Sequence, residues 1–267
     1  MQDLTVALVQ SSLIWENAEA NLALFDEKLS ELKMDVQLIL LPEMFNTGFS
    51  MNPVKIAETP DGRSFTWLKQ KSGELDCVIS GSILTKVDGK YYNRLYWMHP
   101  DGKFDYYDKH HLFRMGEEHQ VFTAGMQRPL FLVKGWKIFP FICYDLRFPV
   151  WMKNRFQNET YNYDLIVGVA NWPAVRQNAW NQLLVARAVE NQAYLAAVNR
   201  VGEDGHGHFH AGDSCIIDPL GQIIGQTDSG KENIITATLS YKMLQDYRRQ
   251  FPVGYDWDEF ILKGFSD

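Results

Sequence analysis

Three side chains that could carry out nucleophilic chemistry come just past the ends of apolar runs: Glu43, Lys109 and Cys143. A thiol needs a base to become a thiolate, and a carboxylate can serve if burial raises its pKa. A buried lysine can supply fixed positive charge to a developing oxyanion. Reactive groups collect at strand ends in α/β sheets, so together the three indicate a cysteine nucleophile with its base and its oxyanion partner.

Each of the three residues also has a plainer interpretation. Free cysteine is among the most buried residue types, so Cys143 could be a structural thiol. Glu43 could be a carboxylate at a helix start, and Lys109 could be a solvated charge. The sequence KIFPFICYDLRFP (137–149) is well suited to a nucleophile at Cys143, but taken alone it favours the structural thiol, and Glu43 and Lys109 at two other strand ends change that balance. An apolar strand there meets a sharp exit that would lift the sulfur out of the sheet and bring the next backbone N–H to the same space.

The elements that must position these residues alternate between strand and helix. Asn17 is suited to cap the first helix. The pattern predicts helices at 17–33, 63–71, 150–157, 177–191 and 240–250. It predicts strands at 4–10, 36–41, 77–84, 91–98, 104–107, 129–133, 137–142, 164–170, 193–199, 214–218, 222–226 and 233–239. We therefore expect one α/β domain over residues 1–267, with a mixed sheet, helices outside it and an aromatic tail from about 251 to 267.

The composition excludes several classes of protein. The chain has 267 residues and a net charge of −7 without a basic face, which argues against nucleic acid as a partner. Its three cysteines are odd in number and widely spaced, which argues against a disulfide framework and for a reducing compartment. The N-terminus lacks a signal-peptide pattern and no apolar run is long enough to cross a bilayer. We expect a cytoplasmic protein that does not bind membranes.

Three segments together resemble the signature blocks of the nitrilase, or carbon–nitrogen hydrolase, superfamily. They are LPEMFNTGF (41–49), YDKHHLF (107–113) and CYDLRFP (143–149), which occur in the family's order. VANWP (169–173) and RAVEN (187–191) add two further matches, and the likeness extends from the N-terminal strand to at least Asp218. The aromatic-rich CYDLRFPVW and VANWP segments are most similar to the omega-amidase branch.

The resemblance implies a fold and a catalytic set. The fold is a four-layer α-β-β-α sandwich, and the set is a triad of Glu43, Lys109 and Cys143. A second glutamate is implied in GEEHQVFTAG, where the candidates are Glu117 and Glu118. The family's spacing to the glycine that ends this segment favours Glu118, although the adjacent acids and the histidine depart from the family pattern.

The resemblance also implies a mechanism, in which the thiol attacks an amide carbonyl and forms a thioester. The Tyr144 N–H would share the oxyanion with the lysine, and no metal or organic cofactor is needed. Phe49, Phe113 and Trp172 follow motif residues and could line the pocket. Arg147 could bind a substrate carboxylate, but an ion pair with Asp145 or a glutamate is the favoured interpretation.

The expected substrate is a small linear amide with a remote carboxylate, such as 2-oxoglutaramate or 2-oxosuccinamate. A cation should receive that carboxylate, and Arg114, Arg147, Arg176 and Arg200 remain open candidates. Rival activities are a carbamoyl-amino-acid hydrolase, a nitrilase and a non-catalytic binding protein of the same fold. The resemblance also implies at least a homodimer, through residues 150–157, 177–191 and the tail.

The remaining reactive residues fit structural roles better. His206, His208 and His210 alternate in a glycine-rich loop, 202–212, which suggests a metal site at first sight. The glycines predict a flexible loop, and no cysteine or carboxylate stands at a recognisable ligand spacing, so we expect no metal. Cys77 and Cys215 lie in strand sequences and are predicted core thiols.

Overall fold

Two mixed six-stranded sheets form the centre of the computed structural model, which describes residues 1–32 and 35–263. In spatial order the first sheet contains Asn233–Leu239 (β16), Leu4–Gln10 (β1), Leu38–Leu40 (β2), Val78–Val87 (β3), Lys90–Met98 (β4) and Phe104–Asp108 (β5). The second contains Ile223–Gln226 (β15), Cys215–Ile217 (β14), Tyr194–Asn199 (β11), Leu165–Ala170 (β10), Trp136–Ile142 (β7) and Phe131–Val133 (β6). Two short antiparallel pairs stand apart: Phe156–Gln157 (β8) with Thr160–Tyr161 (β9), and Val201–Glu203 (β12) with Phe209–Ala211 (β13).

The helices lie between these strands in sequence. The α-helices are Ala18–Ser30 (α1), Pro53–Ile56 (α2), Arg63–Leu75 (α3), Glu118–Val121 (α4), Pro149–Met152 (α5), Gln177–Asn191 (α6) and Tyr241–Gln250 (α7). Short 3₁₀ helices cover Arg114–Gly116, Cys143–Arg147, Ala174–Arg176 and Val253–Asp256. No helix in the described parts of the chain is long and apolar enough to cross a membrane.

The alternation of side chains along β1 shows how the layers pack. Val6 and Leu8 belong to a buried cluster that contains side chains from both sheets and from α6 and α7. Ala7 and Val9 point the other way, into a second cluster formed with α1 and α3. Successive residues of a strand face opposite sides of the sheet, so both faces of β1 are buried. Helices thus cover the outer faces of two stacked sheets, and the predicted four-layer α-β-β-α sandwich is confirmed.

Most predicted elements are present, several with shifted ends. The helix predicted at 177–191 and the strand at 233–239 have the predicted bounds. The Asn17 side chain caps α1 by accepting the Ala20 N–H at 3.1 Å. That helix ends at Ser30, and Lys33, its predicted end, lies outside the described residues.

The helix predicted at 150–157 is wrong beyond its first turn. It starts at Pro149 and ends at Met152, and the chain then enters the short strand β8. Asn154 explains the early end: its N–H donates to Asn191 Oδ1 at 2.7 Å, so it is not available to continue the helix. Tertiary hydrogen bonds here replace the helical ones.

The loop predicted at 202–212 is also wrong in part, because it contains the hairpin of β12 and β13. Asp204 Oδ1 closes the turn by accepting the N–H groups of His206 (2.8 Å) and His208 (3.0 Å). Of the three alternating histidines, only His210 lies on a strand, and it is buried. The glycines therefore serve an ordered turn, where Gly207 adopts a φ of +78°.

The aromatic tail packs on its own chain for part of its length. The Gln192 side chain donates to the Phe251 carbonyl at 2.8 Å, and the Lys153 ammonium lies 3.6 Å from the centre of the Trp257 ring. Tyr255 is exposed and contacts the Phe156 ring. Residues 264–267 of the predicted tail lie outside the described residues.

Candidate active site

Three strands bring the predicted reactive residues to one cavity. Glu43 comes three residues after β2, Lys109 directly after β5 and Cys143 directly after β7. All three line a cavity of about 660 Å³. Glu43 and Lys109 are almost completely buried, while Cys143 is half-buried. The first two come from one sheet and the cysteine from the other, so the site lies where the sheets meet.

The Lys109 ammonium is held between two carboxylates. Its Nζ lies 2.9 Å from Glu43 Oε1 and 3.0 Å from Glu118 Oε2, and it lies 4.9 Å from the centre of the Phe49 ring. Burial alone would lower the pKa of Lys109, but the charges of Glu118 and Glu43 outweigh burial and raise it. Lys109 therefore stays positively charged at any working pH.

Of the two adjacent glutamates, Glu118 contacts the lysine. It is fully buried at the start of α4, whereas Glu117 is exposed and has a φ of +57°. Glu118 Oε2 also accepts the Phe113 N–H at 2.6 Å, and Oε1 has no hydrogen-bond partner among the described residues. Burial raises the pKa of Glu118, and the positive charge of Lys109 opposes that effect.

Gly125, the last residue of GEEHQVFTAG, also contacts the segment around Lys109. The Gly125 N–H donates to the Lys109 carbonyl at 2.9 Å. A Cβ at Gly125 would lie 2.1 Å from the Asp108 carbonyl oxygen, which leaves room for glycine only. This packing fixes the segment that follows α4 against the end of β5.

Two asparagines that the sequence analysis did not single out orient Glu43. Asn93 Nδ2 donates to Glu43 Oε1 at 2.8 Å, and the Asn171 backbone N–H donates to Oε2 at 2.8 Å. The Asn171 side-chain amide also donates to the Glu43 backbone carbonyl. Each carboxylate oxygen thus accepts at least one hydrogen bond, and the side chain is fixed in one orientation. Asn171 lies within the VANWP motif, but Asn93 belongs to β4 and carries no local signal.

Cys143 occupies a turn with an unusual backbone conformation. Its φ is +44°, in the left-handed region that non-glycine residues rarely adopt, and it begins a 3₁₀ helix. Tyr144 is the second residue of that helix, where an N–H has no acceptor within the helix. Burial raises the pKa of the Cys143 thiol well above its ordinary value. The negative charge of Glu43, which is hydrogen-bonded to the thiol, adds to this effect. Both effects favour the protonated form of the thiol.

Asp145 joins the turn that begins at Cys143 to the segment around Lys109 (107–113). Its Oδ2 accepts the Ile142 N–H at 3.0 Å and the Tyr107 hydroxyl at 2.8 Å. Its Oδ1 accepts both the backbone N–H and Nδ1 of His111, at 2.9 and 2.8 Å. The His111 ring stacks on Phe148 at 3.6 Å between ring centres. His111 therefore packs on the aromatic ring and orients the Asp145 carboxylate.

The ion pair predicted between Arg147 and Asp145 is wrong, because Asp145 is fully engaged by these other donors. The Arg147 guanidinium instead lies over the Trp172 ring, 4.8 Å from its centre. Arg147 forms no ion pair within residues 1–32 and 35–263, and it lines the cavity. The predicted pocket residues Phe49, Phe113 and Trp172 line the same cavity.

The four candidate arginines occupy different environments. Arg147 and Arg176 line the cavity, and Arg176 lies 5.3 Å from the centre of the Phe113 ring. Arg200 is fully buried and donates to the Glu203 carbonyl at 2.7 Å, which is a structural contact. Arg114 is exposed and outside the cavity lining. The structure thus leaves Arg147 and Arg176 as candidates to meet a substrate.

The histidine hairpin forms one wall of the cavity. His206, His208 and His210 all belong to the lining. Burial lowers the pKa of His210 to about 4, so this residue is neutral at physiological pH. Within the described residues, no group of three or more histidine, cysteine, aspartate or glutamate side chains is arranged to hold a metal ion. Cys77 and Cys215 are buried in the core, as predicted.

Comparisons with known proteins agree with this arrangement. The carbon–nitrogen hydrolase family model matches residues 5–249. The omega-amidase YafV of Yersinia enterocolitica is 44% identical over 262 residues, which cover 98% of this chain and 100% of that protein. The 2-oxoglutaramate amidase of Bacillus subtilis is 29% identical over 255 residues, covering 94% and 96% of the two chains.

A solved structure of a CN-hydrolase superfamily protein also matches the fold of this chain. XC1258 from Xanthomonas campestris, a CN-hydrolase superfamily protein crystallised with an arsenic adduct in its active site, superposes with a TM-score of 0.95. It is 43% identical to this chain, and the match covers 98% of this chain and 100% of that one. The chain therefore belongs to the carbon–nitrogen hydrolase family and is an amide-hydrolysing enzyme of nitrilase-superfamily fold.

Proposed function

We propose that this enzyme is an omega-amidase, which hydrolyses the terminal amide of a small linear amide with a carboxylate at its other end. Substrates of this kind include 2-oxoglutaramate and 2-oxosuccinamate. The observation that carries the proposal is the Lys109 ammonium, which is bound between Glu43 and Glu118 beside Cys143. The same cavity is lined by two arginines that have no acidic partner among the described residues. The omega-amidase relatives support it.

Acylation uses Glu43 as the base and Cys143 as the nucleophile. Glu43 takes the thiol proton while Sγ attacks the amide carbonyl carbon. The carbonyl oxygen becomes an oxyanion, which the Lys109 ammonium and the Tyr144 N–H stabilise. The intermediate collapses, the C–N bond breaks, and the nitrogen takes the proton from Glu43 and leaves as ammonia. A thioester on Cys143 remains.

Deacylation repeats these steps with water. Glu43, again a carboxylate, takes a proton from water as its oxygen attacks the thioester carbon. The same donors hold the second oxyanion, and its collapse breaks the C–S bond. The sulfur takes the proton back from Glu43, and the free acid leaves. Glu118 keeps Lys109 in place. Its Oε1, which has no hydrogen-bond partner in the described parts of the chain, is suited to accept an N–H of the incoming amide.

Arg147 is the cation that receives the remote carboxylate. It lies four residues after the nucleophile, its guanidinium stacks on Trp172, and its charge is unpaired within the described chain. Guanidinium matches the planar geometry of a carboxylate. Losing a hydrogen bond to a charged group costs about 1.5–3 kcal/mol, so esterifying the carboxylate should lower kcat/KM by roughly 10- to 100-fold.

The test is ammonia release from a panel of oxo-acid omega-amides, their esters, carbamoyl amino acids and nitriles, with Cys143→Ala as the inactive control. The proposal expects the free-acid omega-amides to be the best substrates and nitriles the worst. Equal turnover of an uncharged amide of the same length would reject the omega-amidase assignment. Preference for carbamoyl amino acids or nitriles would assign the rival activities, and no turnover at all would favour a binding protein.

We further propose that the chain works as a single domain and at least a homodimer, without a cofactor, in the cytoplasm. Several exposed apolar residues near the cavity and tail support a subunit contact: Val150, Val175, Val189, Tyr255 and Ile261. The cytoplasm is reducing, which keeps the nucleophilic thiol free. Sedimentation that shows only a 30.9 kDa species at micromolar concentration would reject the dimer.

A further inference from the structure

A second arginine, Arg176, faces the same cavity as Arg147. It ends the 3₁₀ helix Ala174–Arg176, and its backbone carbonyl accepts the Trp172 indole N–H at 2.9 Å. Its guanidinium lies over the ring of Phe113, which ends the YDKHHLF segment (107–113) that contains Lys109. Each of the two arginines thus lies over an aromatic ring of the cavity lining, Arg147 over Trp172 and Arg176 over Phe113.

Neither guanidinium has an acidic partner within the part of the chain that the structure describes. Burial lowers the pKa of Arg176, the negative charge of a Cys143 thiolate would oppose that effect, and the positive charge of Arg147 adds to it. Arg176 is therefore within electrostatic reach of both Arg147 and the nucleophile. The remote carboxylate of the substrate pairs with Arg147, so the role of the second guanidinium, that of Arg176, needs its own explanation.

We propose that Arg176 donates a hydrogen bond to the oxygen at C2 of the substrate, so that the enzyme selects 2-oxo acid amides over the corresponding 2-amino acid amides. This inference rests on the omega-amidase function proposed above. In such substrates C2 lies between the carboxylate and the amide. Arg176 lines the same cavity as Arg147 and Cys143 and is placed to reach it.

The chemistry of the two substrate classes differs where Arg176 would contact them. A 2-oxo oxygen is an acceptor and matches the guanidinium, which has five donors and no acceptor. A 2-ammonium group has only donors and carries a positive charge, so it would meet a second positive charge in a partly buried site. Asp204, in the wall of the cavity formed by the hairpin, is an acidic side chain that could attract such an ammonium group. Its Oδ1, however, already accepts two N–H groups of its own turn.

The test compares three amides of one chain length: 2-oxoglutaramate, glutamine and glutaramate, which has no group at C2. In the wild-type enzyme, kcat/KM for 2-oxoglutaramate should exceed that for glutamine by at least about 10²-fold, from charge repulsion. Arg176→Met should lower kcat/KM for 2-oxoglutaramate about 10- to 100-fold, the effect of losing one hydrogen bond from a charged donor. It should change the value for glutaramate by less than about threefold, because no contact at C2 is lost.

Ratios between substrates make the result independent of the folded fraction of a variant. Arg176→Lys, which keeps the charge, should still disfavour glutamine, and Arg249→Met, an exposed control on α7, should match the wild type. A loss that is equal for 2-oxoglutaramate and glutaramate, or no loss, would overturn the role of Arg176 and leave the omega-amidase function standing. If the wild type hydrolyses none of the three amides, the proposed function fails, and this inference with it.

Discussion

The two adjacent glutamates offer a matched pair for testing the second carboxylate. Glu118 Oε2 lies 3.0 Å from Lys109 Nζ, and Glu117 is exposed. At that distance the attraction between unit charges is about 5 kcal/mol for an effective dielectric constant near 20, before the opposing cost of burying the carboxylate. Breaking a buried pair costs about 3–5 kcal/mol. Because Lys109 keeps its contact with Glu43 at 2.9 Å, we expect the loss in the free energy of unfolding to lie at the low end of this range.

Glu118→Gln should also lower kcat/KM by about 10²-fold, because the Lys109 ammonium loses a hydrogen bond to a charged partner, a contact worth about 1.5–3 kcal/mol. Glu117→Gln should leave it within about threefold, since the neighbouring side chain is solvated. Steady-state ammonia release from 2-oxoglutaramate measures both values, and thermal unfolding of each variant establishes that it is folded. If Glu118→Gln is nearly normal, or if both variants are equally impaired, the assignment of Glu118 is wrong.

The pH profile gives an independent check on the same residue. Burial raises the pKa of Glu118, so its neutral form persists to a higher pH than for an ordinary glutamate. Activity that depends on the carboxylate is present above that pKa and lost as the pH falls through it. The acidic limb of kcat/KM should shift in Glu118→Gln and not in Glu117→Gln. If the wild type and both variants have the same acidic limb, the loss of activity at low pH comes from the titration of another group.

Further predictions concern the nucleophile and its partners. Cys143→Ala should abolish turnover, whereas Cys77→Ala and Cys215→Ala should retain most of it, and wild-type rates in Cys143→Ala would refute the mechanism. Glu43→Gln keeps the shape but removes the base, so single-turnover ammonia release should fall beyond the roughly 10²–10⁴-fold typical of acid–base catalysis. A smaller loss would point to another base. Lys109→Ala should be as severe, because the oxyanion loses its charge partner. Near-normal single-turnover rates would place the oxyanion elsewhere.

Motif residues at strand ends were predictable because strand ends are local features of the sequence. Glu43, Lys109 and Cys143 each follow an apolar run, and the sheets bring those ends together. The α6 helix was predictable from its continuous pattern. A local pattern cannot show which backbone groups form hydrogen bonds with distant side chains. For that reason the helix at 150–157 was predicted too long.

Contacts between distant segments account for the other differences. Asn93 comes from the middle of β4, 50 residues from the carboxylate that it orients, and no local feature marks it. Asp145 was predicted to pair with its neighbour Arg147, yet it accepts hydrogen bonds from Tyr107 on β5 and from His111 in the segment that follows β5. Only the folded chain shows that Arg147 is thereby free to face the cavity.

The charges of the site explain why a protonated thiol suits the proposed reaction. Glu43 and Glu118 contribute two negative charges and Lys109 one positive charge, so the buried cluster carries about one net negative charge. A thiolate at Cys143 would add a second, which is why burial and Glu43 raise the thiol pKa. During attack the proton moves to Glu43 as the oxyanion forms, so one negative charge disappears where another appears. The net charge stays constant while Lys109 gains the oxyanion as a partner, and a fixed site can stabilise that shift with little reorganisation.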